Sequence, residues 1–281
     1  MEKPQYGQTL QFEEIAPPVM FQTPKSQIRI ASTKNHGIVL FMDNEVQLSS
    51  MDEHRYHEML VHPVMSDVTE SLPMKRLRVL ILGGGDGCAA REVFKWPNID
   101  SVTVVDYDSD FVQFAAKDSV FSDLNQRVFE RENLYYISTD AKDFVENCST
   151  VFDVILIDLP DPSDAEFIEL YIWLIRAIRH LLAEHGGVAC HVGPVGLNPL
   201  HENWRTIQTL KETLRQTFAK ETSLDTVYVP SFSNEWGILR ICDAGSDEVN
   251  ATVQSVQKQC RYWRRMMTSW TPDILENYFL W

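Results

Sequence analysis

From residue 78 to residue 242 the apolar residues fall in short unbroken runs, separated by stretches in which they recur every three or four positions. Unbroken apolar runs are what strands covered on both faces require, and the three-to-four spacing is that of a helix with one buried face. The pattern predicts strands over 78–83, 101–106, 133–137, 152–158, 187–192, 223–230 and 236–242, and helices near 88–96, 109–118, 141–146, 165–184 and 201–218. Strands alternating with helices imply a doubly wound, mostly parallel sheet, so the expected class is α/β, Rossmann-like and seven-stranded. The last two strands, joined by the short Pro230–Glu235 link, suit an antiparallel hairpin at the sheet edge.

Residues 1–50 follow a different pattern. Val19–Gln22, Gln27–Ala31, Gly37–Met42 and Val46–Leu48 are β-rich runs separated by turn signals at Pro24, Asn35 and Asp43-Asn44. Such a meander is too small for a large core of its own and is expected to pack on the main domain or on another subunit. The expected division is a small N-terminal β-domain, 1–50, and a nucleotide-binding domain, 51–281. A helix from about Met51 to His62, capped by Ser49 or Ser50 and ended by Pro63, would join the two.

Composition narrows the class. The chain has 281 residues, enough for one large domain or two unequal ones, and its 25 Lys and Arg against 40 Asp and Glu give a net charge of −15. That surface repels nucleic acid and anionic membrane; it favours a cationic partner, or it serves solubility alone. Cys88, Cys148, Cys190, Cys242 and Cys260 form no C-x-x-C pair, so a reduced, cytoplasmic protein without disulfides or a metal is expected. No apolar stretch reaches the roughly 18–20 residues of a membrane span, and the first residues lack a signal peptide's apolar segment.

The chemistry begins at the first long strand. It runs into Gly83 and a glycine cluster, and Gly85-Asp86-Gly87-Cys88-Ala89-Ala90 fits the G-x-G-x-x-G/A fingerprint between strand and helix. Glycines there let backbone approach a ligand where a Cβ would clash. Asp106 ends the next strand, where a carboxylate accepts hydrogen bonds from ribose hydroxyls. Strand, glycine turn, helix and terminal acid in register point to an adenosine-type ligand.

In an open α/β sheet, ligands bind at the carboxyl ends of the strands. Four successive strands deliver Asp86, Asp106, Asp140 and Asp158 to those ends. Any one of them alone would read as a helix cap or turn residue; together they read as a site. After Asp158 comes Leu159-Pro160-Asp161-Pro162, whose prolines hold the two carboxylates at fixed positions, or merely start a turn before the next helix. Two carboxylates at a sheet mouth suit a substrate with more than one ammonium group: one can orient the attacking amine and take its proton, the other can anchor the distal charge.

With these elements the chain resembles the spermidine synthase (polyamine aminopropyltransferase) family over nearly its whole length, closest to a bacterial branch with the D-L-P-D-P wording. The resemblance implies decarboxylated S-adenosylmethionine as co-substrate, a di- or polyamine as acceptor, no metal, and a homodimer formed through the N-terminal strands. It places Gln22, Gly83, Gly85, Asp86, Gly87, Asp106, Asp140 and Ala141 on the donor, Asp158 as the catalytic base, and Gln47, Tyr56, His57, Asp161, Phe232 and Glu235 on the amine. R-Y-W at 261–263 with T-P-D-I at 271–274 is similar to the family's C-terminal tail.

The departures fall on the acceptor side. After Pro162 the family's usual wording is replaced by Ser163-Asp164-Ala165-Glu166, the tyrosine of the C-terminal loop is Phe232, and His57 stands where a glutamine is common. A methyltransferase of the same fold using intact S-adenosylmethionine is therefore the alternative. A nicotinamide-dependent oxidoreductase could use the same glycine loop but leaves Asp140 and D-L-P-D-P without a role, and a non-catalytic paralogue would not need both Asp158 and Asp161. His57 and His62 lie five apart, one too many for H-E-x-x-H, so no zinc site is expected. Trp263, Trp270 and Trp281 read as packing of the tail, and Arg261, Arg264 and Arg265 as a local solvated or subunit-contact patch.

Overall fold

A computed structural model describes residues 10–195 and 202–242. Four short strands come first, β1 (Val19–Gln22), β2 (Gln27–Thr33), β3 (Gly37–Met42) and β4 (Glu45–Ser49), paired antiparallel in the order β1-β2-β3-β4. Helix α1 (Glu53–Ser71) leads into β5 (Leu77–Gly83), α2 (Cys88–Val93), β6 (Ile99–Asp106), α3 (Ser109–Lys117), α4 (Ser119–Leu124), β7 (Leu134–Ser138), α5 (Ala141–Asn147) and β8 (Phe152–Asp158). Helix α6 (Ala165–Ala177), β9 (Leu182–Pro194), α7 (Glu202–Phe218), β10 (Glu221–Val229) and β11 (Asn234–Cys242) follow.

The second sheet has seven strands in the order β10-β11-β9-β8-β5-β6-β7. Strands β5 to β9 run parallel, and β10 and β11 form the antiparallel hairpin expected at the edge. The chain winds from β5 outward through β6 to β7, then returns to the other side of β5 to lay down β8 and β9. The direction reverses between β5 and β8, where ligand crevices open in this class of sheet. Register makes the point at residue level: Gly83 is paired with Asp158 and Asp106 with Ser138.

Alternation along β5 sends Val79 and Ile81 to one face and Leu80 and Leu82 to the other, as the two-residue period demands. The first pair packs with Val61, Val64, Ala89 and Val93 of α1 and α2. The second packs with Val145 of α5, Tyr171 and Leu174 of α6, and Leu210 and Leu214 of α7. All four β5 side chains are fully buried. Truncating Leu80, Ile81 or Leu82 to Ala would cost about 2–5 kcal/mol. A third cluster, of Ile28, Leu40 and Leu48 with Phe111 and Phe121, fastens the small sheet to α3 and α4. No helix among the described residues is long and apolar enough to cross a membrane.

Several boundaries differ from expectation. Pro63 does not end α1, which continues to Ser71. Proline removes one backbone donor, but Val61, Val64, Met65 and Val68 on either side of it are buried, and that burial carries the helix through. Its N-cap is Asp52 rather than Ser49 or Ser50. Asp52 turns its carboxylate to the Ser231 N–H (2.7 Å) and hydroxyl (2.8 Å), while Ser49 and Ser50 serve the β3 end of the small sheet. Helix α6 stops at Ala177 and passes through a 3₁₀ turn over Ile178–Leu181, because pairing of Leu182 with Phe152 claims the next residues for β9. Helix α2 ends at Val93, and α4 was not expected; Asp118 caps it by accepting from Val120 and Phe121. The tail containing R-Y-W, T-P-D-I, the three tryptophans and the basic patch lies outside the described residues.

Candidate active site

The glycine loop is shaped first by its own neighbours. A Cβ at Gly83 would collide with the Asp158 carbonyl oxygen, and one at Gly85 would sit 2.7 Å from Asp106 Oδ2. The missing side chains thus let two strand-terminal carboxylates close around the loop, in addition to opening backbone to a ligand. Asp106 accepts from the Gly85 N–H (Oδ2, 3.1 Å) and the Asp108 N–H (Oδ1, 2.9 Å), and the Tyr136 hydroxyl donates to its carbonyl (3.1 Å). Burial pushes the Asp106 carboxyl up to about 6 against those two amide bonds. It remains mostly ionised at neutral pH, able to accept from a diol.

Asp86 caps the other side of the loop, accepting from the Cys88 N–H at 2.7 Å. Burial raises its pKa, a rise that the His57 charge offsets only in part. His57 Nε2 lies 3.9 Å from Asp86 Oδ2, and its Nδ1 lies 2.7 Å from Glu53 Oε2. Burial alone would pull the imidazole down, but the Glu53 hydrogen bond and the Asp86 charge lift it to about 9. Glu53 in turn would rise on burial, yet His57 and Arg91 hold it down at about 2. Arg91 grips Glu53 through two nitrogens (2.8 and 3.0 Å) and Glu92 through Nε (2.8 Å). A positive His57 therefore stands behind Asp86 on a fully paired base.

Glu53, His57 and Cys88 also lie close enough together to share a cation. Arg91 and His57 already occupy the Glu53 carboxylate, and burial holds the Cys88 thiol in its protonated form. That donor set fits a buried ion-pair network better than a metal.

Across the crevice, Tyr56 from α1 donates its hydroxyl to Asp158 Oδ1 at 2.5 Å. Burial and the Asp158 charge hold the phenol pKa well above its ordinary value, with Tyr171 and Asp161 adding to the same effect. The phenol keeps its proton and fixes one carboxylate oxygen, leaving the other toward the glycine loop, where a Cβ at Gly84 would lie 3.3 Å from Asp158 Oδ2. Asp161 follows three residues later, after Pro160, its Oδ1 3.5 Å from His191 Nδ1. Tyr56 and His57 also line a narrow, closely packed crevice with Gln47, Glu53 and Phe232.

The decisive geometry is the Asp158 carboxylate set beside a glycine loop that closes around Asp106. The spermine/spermidine synthase domain model matches residues 53–252. The chain belongs to the spermine/spermidine synthase family. A polyamine aminopropyltransferase of Oceanobacillus iheyensis is 34% identical over 87% of this chain and 45% of its own length. One from a Synechococcus strain is 34% identical over 77% of this chain and 67% of its own, and one from Saccharolobus islandicus is 30% identical over 86% and 79%. The chain spans less than half the length of the relatives from O. iheyensis and Leptospira interrogans. The crystal structure of spermidine synthase from Thermotoga maritima shares the fold, with a TM-score of 0.73 at 20% identity over 94% of this chain and 84% of that one. A spermidine synthase in complex with the transition state analogue AdoDATO matches with a TM-score of 0.74, also at 20% identity.

Within this family frame, the expected site residues fall into two groups. Gly83, Gly85, Asp86, Asp106, Tyr56, His57, Asp158 and Asp161 converge on the switch point between β5 and β8, and Gln47 and Phe232 share their crevice. Gly87 begins α2, and Asp140 and Ala141 begin α5; Asp140 is exposed and caps that helix through the Lys142 N–H (2.7 Å). Gln22 is exposed and donates to the Thr23 carbonyl (2.9 Å). Glu235 lies in the β11 hairpin opposite Tyr228, its carbonyl taking the Val195 N–H. Two buried contacts had no local sequence signal. Thr23 donates to Asp108 Oδ2 at 2.6 Å, tying the β1 end to the loop that follows Asp106, and Glu53-Arg91 bridges α1 to α2.

Proposed function

We propose that this chain is an aminopropyltransferase, moving the aminopropyl group of decarboxylated S-adenosylmethionine onto a di- or polyamine. The observation that carries the reading is the Asp158 carboxylate, fixed by Tyr56 and set against the glycine loop with Asp161 beside it. In the reaction, the lone pair of an amine nitrogen attacks the methylene carbon bound to the sulfonium. The carbon–sulfur bond breaks, sulfur keeps the pair as a neutral thioether, and the new ammonium gives its proton to Asp158. No acid catalyst is needed for such a leaving group, so the protein's task is alignment and proton removal.

Gln22, Gly83, Gly85, Gly87, Asp106, Asp140 and Ala141 hold the nucleoside, and Asp86 faces the donor's free amine. A negative Asp86 disfavours the extra carboxylate of intact S-adenosylmethionine. Tyr56, His57, Gln47, Asp161, Phe232 and Glu235 form the acceptor side. The small sheet and the main sheet act as two domains, and a homodimer joined through β1 would cover the exposed Val19 and Met20 on that edge. The scattered cysteines support work in the cytoplasm.

The test is to incubate the protein with the decarboxylated donor and diamines of graded length, following the alkylated amine by mass spectrometry. Transfer of an aminopropyl group supports the reading. Methylation from the intact donor, with no transfer from the decarboxylated one, would replace it.

A further inference from the structure

Asn125 caps the C-terminal end of α4, is fully buried, and was not anticipated from the sequence. Its Nδ2 donates to the Asp86 carbonyl (3.0 Å) and to the Ala115 carbonyl in the last turn of α3 (3.0 Å). Carbonyls only accept, so the amide nitrogen must face them, and both of its N–H groups are used. The amide oxygen is buried and has no hydrogen-bond partner among the described residues, which costs stability. The turn that follows adds to that cost. Gln126 and Arg127 both take left-handed backbone, with φ of 55° and 53°, and both side chains are exposed, so packing of their own does not hold them there. The turn brings Val128 and Phe129 back over the start of α2, where a Cβ at Gly87 would lie 2.9 Å from Val128 Cγ1, 2.8 Å from Phe129 Cε2 and 3.2 Å from Asn125 Cβ. Arg91, which grips Glu53, also donates to the Leu124 carbonyl at 2.7 Å. An unpaired buried oxygen and two strained residues thus gather where α4 meets the glycine loop. Local rules are broken in this way where function outweighs stability.

We propose that Asn125 is a positioning residue for the donor: by holding the Asp86 carbonyl against the end of α3, it fixes the direction in which the Asp86 carboxylate faces the donor's free amine. This rests on the aminopropyl-transfer reading. Gly84 and Gly87 flank Asp86 with left-handed backbone, φ 71° and 83°, and glycines by themselves let that segment turn. A fixed point outside the loop is therefore needed. The Asp86–Gly87 peptide is held at both ends, its N–H on the Gly84 carbonyl (3.0 Å) and its C=O on Asn125. The Asp86 side chain, already tied to the Cys88 N–H, then has one direction left to it. A residue acting in this way governs which donor is preferred and leaves the amine side untouched.

The test uses the full chain with Asn125→Leu, which keeps the bulk of the side chain while removing both donors and the unpaired oxygen. A second variant, Asn125→Leu with Arg127→Gly, relieves one left-handed residue and so offsets stability lost with the amide. Calorimetric affinities for decarboxylated and intact S-adenosylmethionine would be measured for both, and for Asn125→Leu in an Asp86→Asn background, beside the steady-state amine KM. The expected result is a loss of about three- to tenfold in affinity for the decarboxylated donor, the size of one neutral hydrogen bond. Affinity for the intact donor should fall less, so the preference narrows, and the amine KM should stay within about twofold. In the Asp86→Asn background the same substitution should change decarboxylated-donor affinity by less than about twofold, because the carboxylate that Asn125 directs is gone. An unchanged preference between the donors, or an equal loss in both backgrounds, overturns the inference and leaves the transfer reading standing. Failure of both variants to fold also overturns it, because Asn125 would then serve the fold alone. A wild-type protein that does not bind the decarboxylated donor overturns the functional reading itself and this inference with it.

Discussion

Replacing His57 by glutamine removes a buried cation from between Glu53 and Asp86, and the structure sets the size of the effect. The imidazole is lifted from 6.5 to about 9, and its side chain is only 4% exposed, so solvent screening calls for no large discount. Folding therefore favours the protonated ring. At about 1.4 kcal/mol per pKa unit the contribution is about 3 kcal/mol. The sign follows from the raised value: the stabilisation is complete below pH 6.5, declines as pH rises, and is lost above about 9. Glu53, held at about 2, acts in a separate window, with its contribution present above about 4.5 and lost as pH falls toward 2. Asp106 and Asp225, both pushed up to about 6 by burial, share the sign of His57: their contribution is full below 3.8 and is lost as pH rises through about 6, equally in wild type and variant. The assay is urea unfolding of wild type and His57→Gln at a series of pH values from 6 to 9.5, followed by tryptophan fluorescence. Wild type should lose about 3 kcal/mol more than the variant across that range. Parallel loss in the two proteins would refute the argument, because the buried imidazolium would then not be what titrates.

Three further outcomes follow from the same geometry. Asp158→Asn keeps the shape of the Tyr56 contact but removes the base, so kcat should fall about 10²–10⁴-fold with donor affinity nearly unchanged; equal loss of donor binding in calorimetry would show that Asp158 is not the base. Gly85→Ala places a Cβ 2.7 Å from Asp106 Oδ2, so the carboxylate must move, and donor affinity should drop at least about tenfold, while stability falls by about 1–3 kcal/mol in thermal unfolding. Thr23→Val deletes the buried hydroxyl that donates to Asp108 and leaves that oxygen short of a partner; it should destabilise the protein by about 1–3 kcal/mol, and an unchanged unfolding midpoint would mean the contact carries no net stability.

The parts of the fold legible in the sequence are those written in local pattern. The β5 run, glycine loop and Asp106 lie within one stretch of chain, and the two-faced burial of β5, β6 and β8 shows directly as unbroken apolar runs. Asp158 and Asp161 could be read as a pair because two prolines mark their turn. What stayed hidden depends on residues distant in sequence. Nothing near Pro63 says that β9, β10 and β11 will pack on α1 and carry the helix onward, and nothing near residue 178 says that Phe152 will pair with Leu182. His57 reads as a polar lining residue until Arg91 and Glu53, which hold its charge, are seen behind it. His191 did leave a signal: a single histidine inside the apolar run that forms β9 has to find a partner, and a buried ring nitrogen facing a carboxylate is what that signal meant. Asp140 shows the opposite case, a strand-end acid whose visible contact is a helix cap and whose ligand role rests on family resemblance.

The central claim is that the glycine loop, Asp86 and Asp106 form a site for a decarboxylated adenosyl donor. The most direct measurement is parallel calorimetric titration of the protein with decarboxylated and intact S-adenosylmethionine. The charge of Asp86 predicts clear preference for the decarboxylated donor, with the difference diminished in Asp86→Asn. Tighter binding of the intact donor would contradict the claim and turn the residues around Ser163 and Phe232 into the acceptor pocket of a methyltransferase.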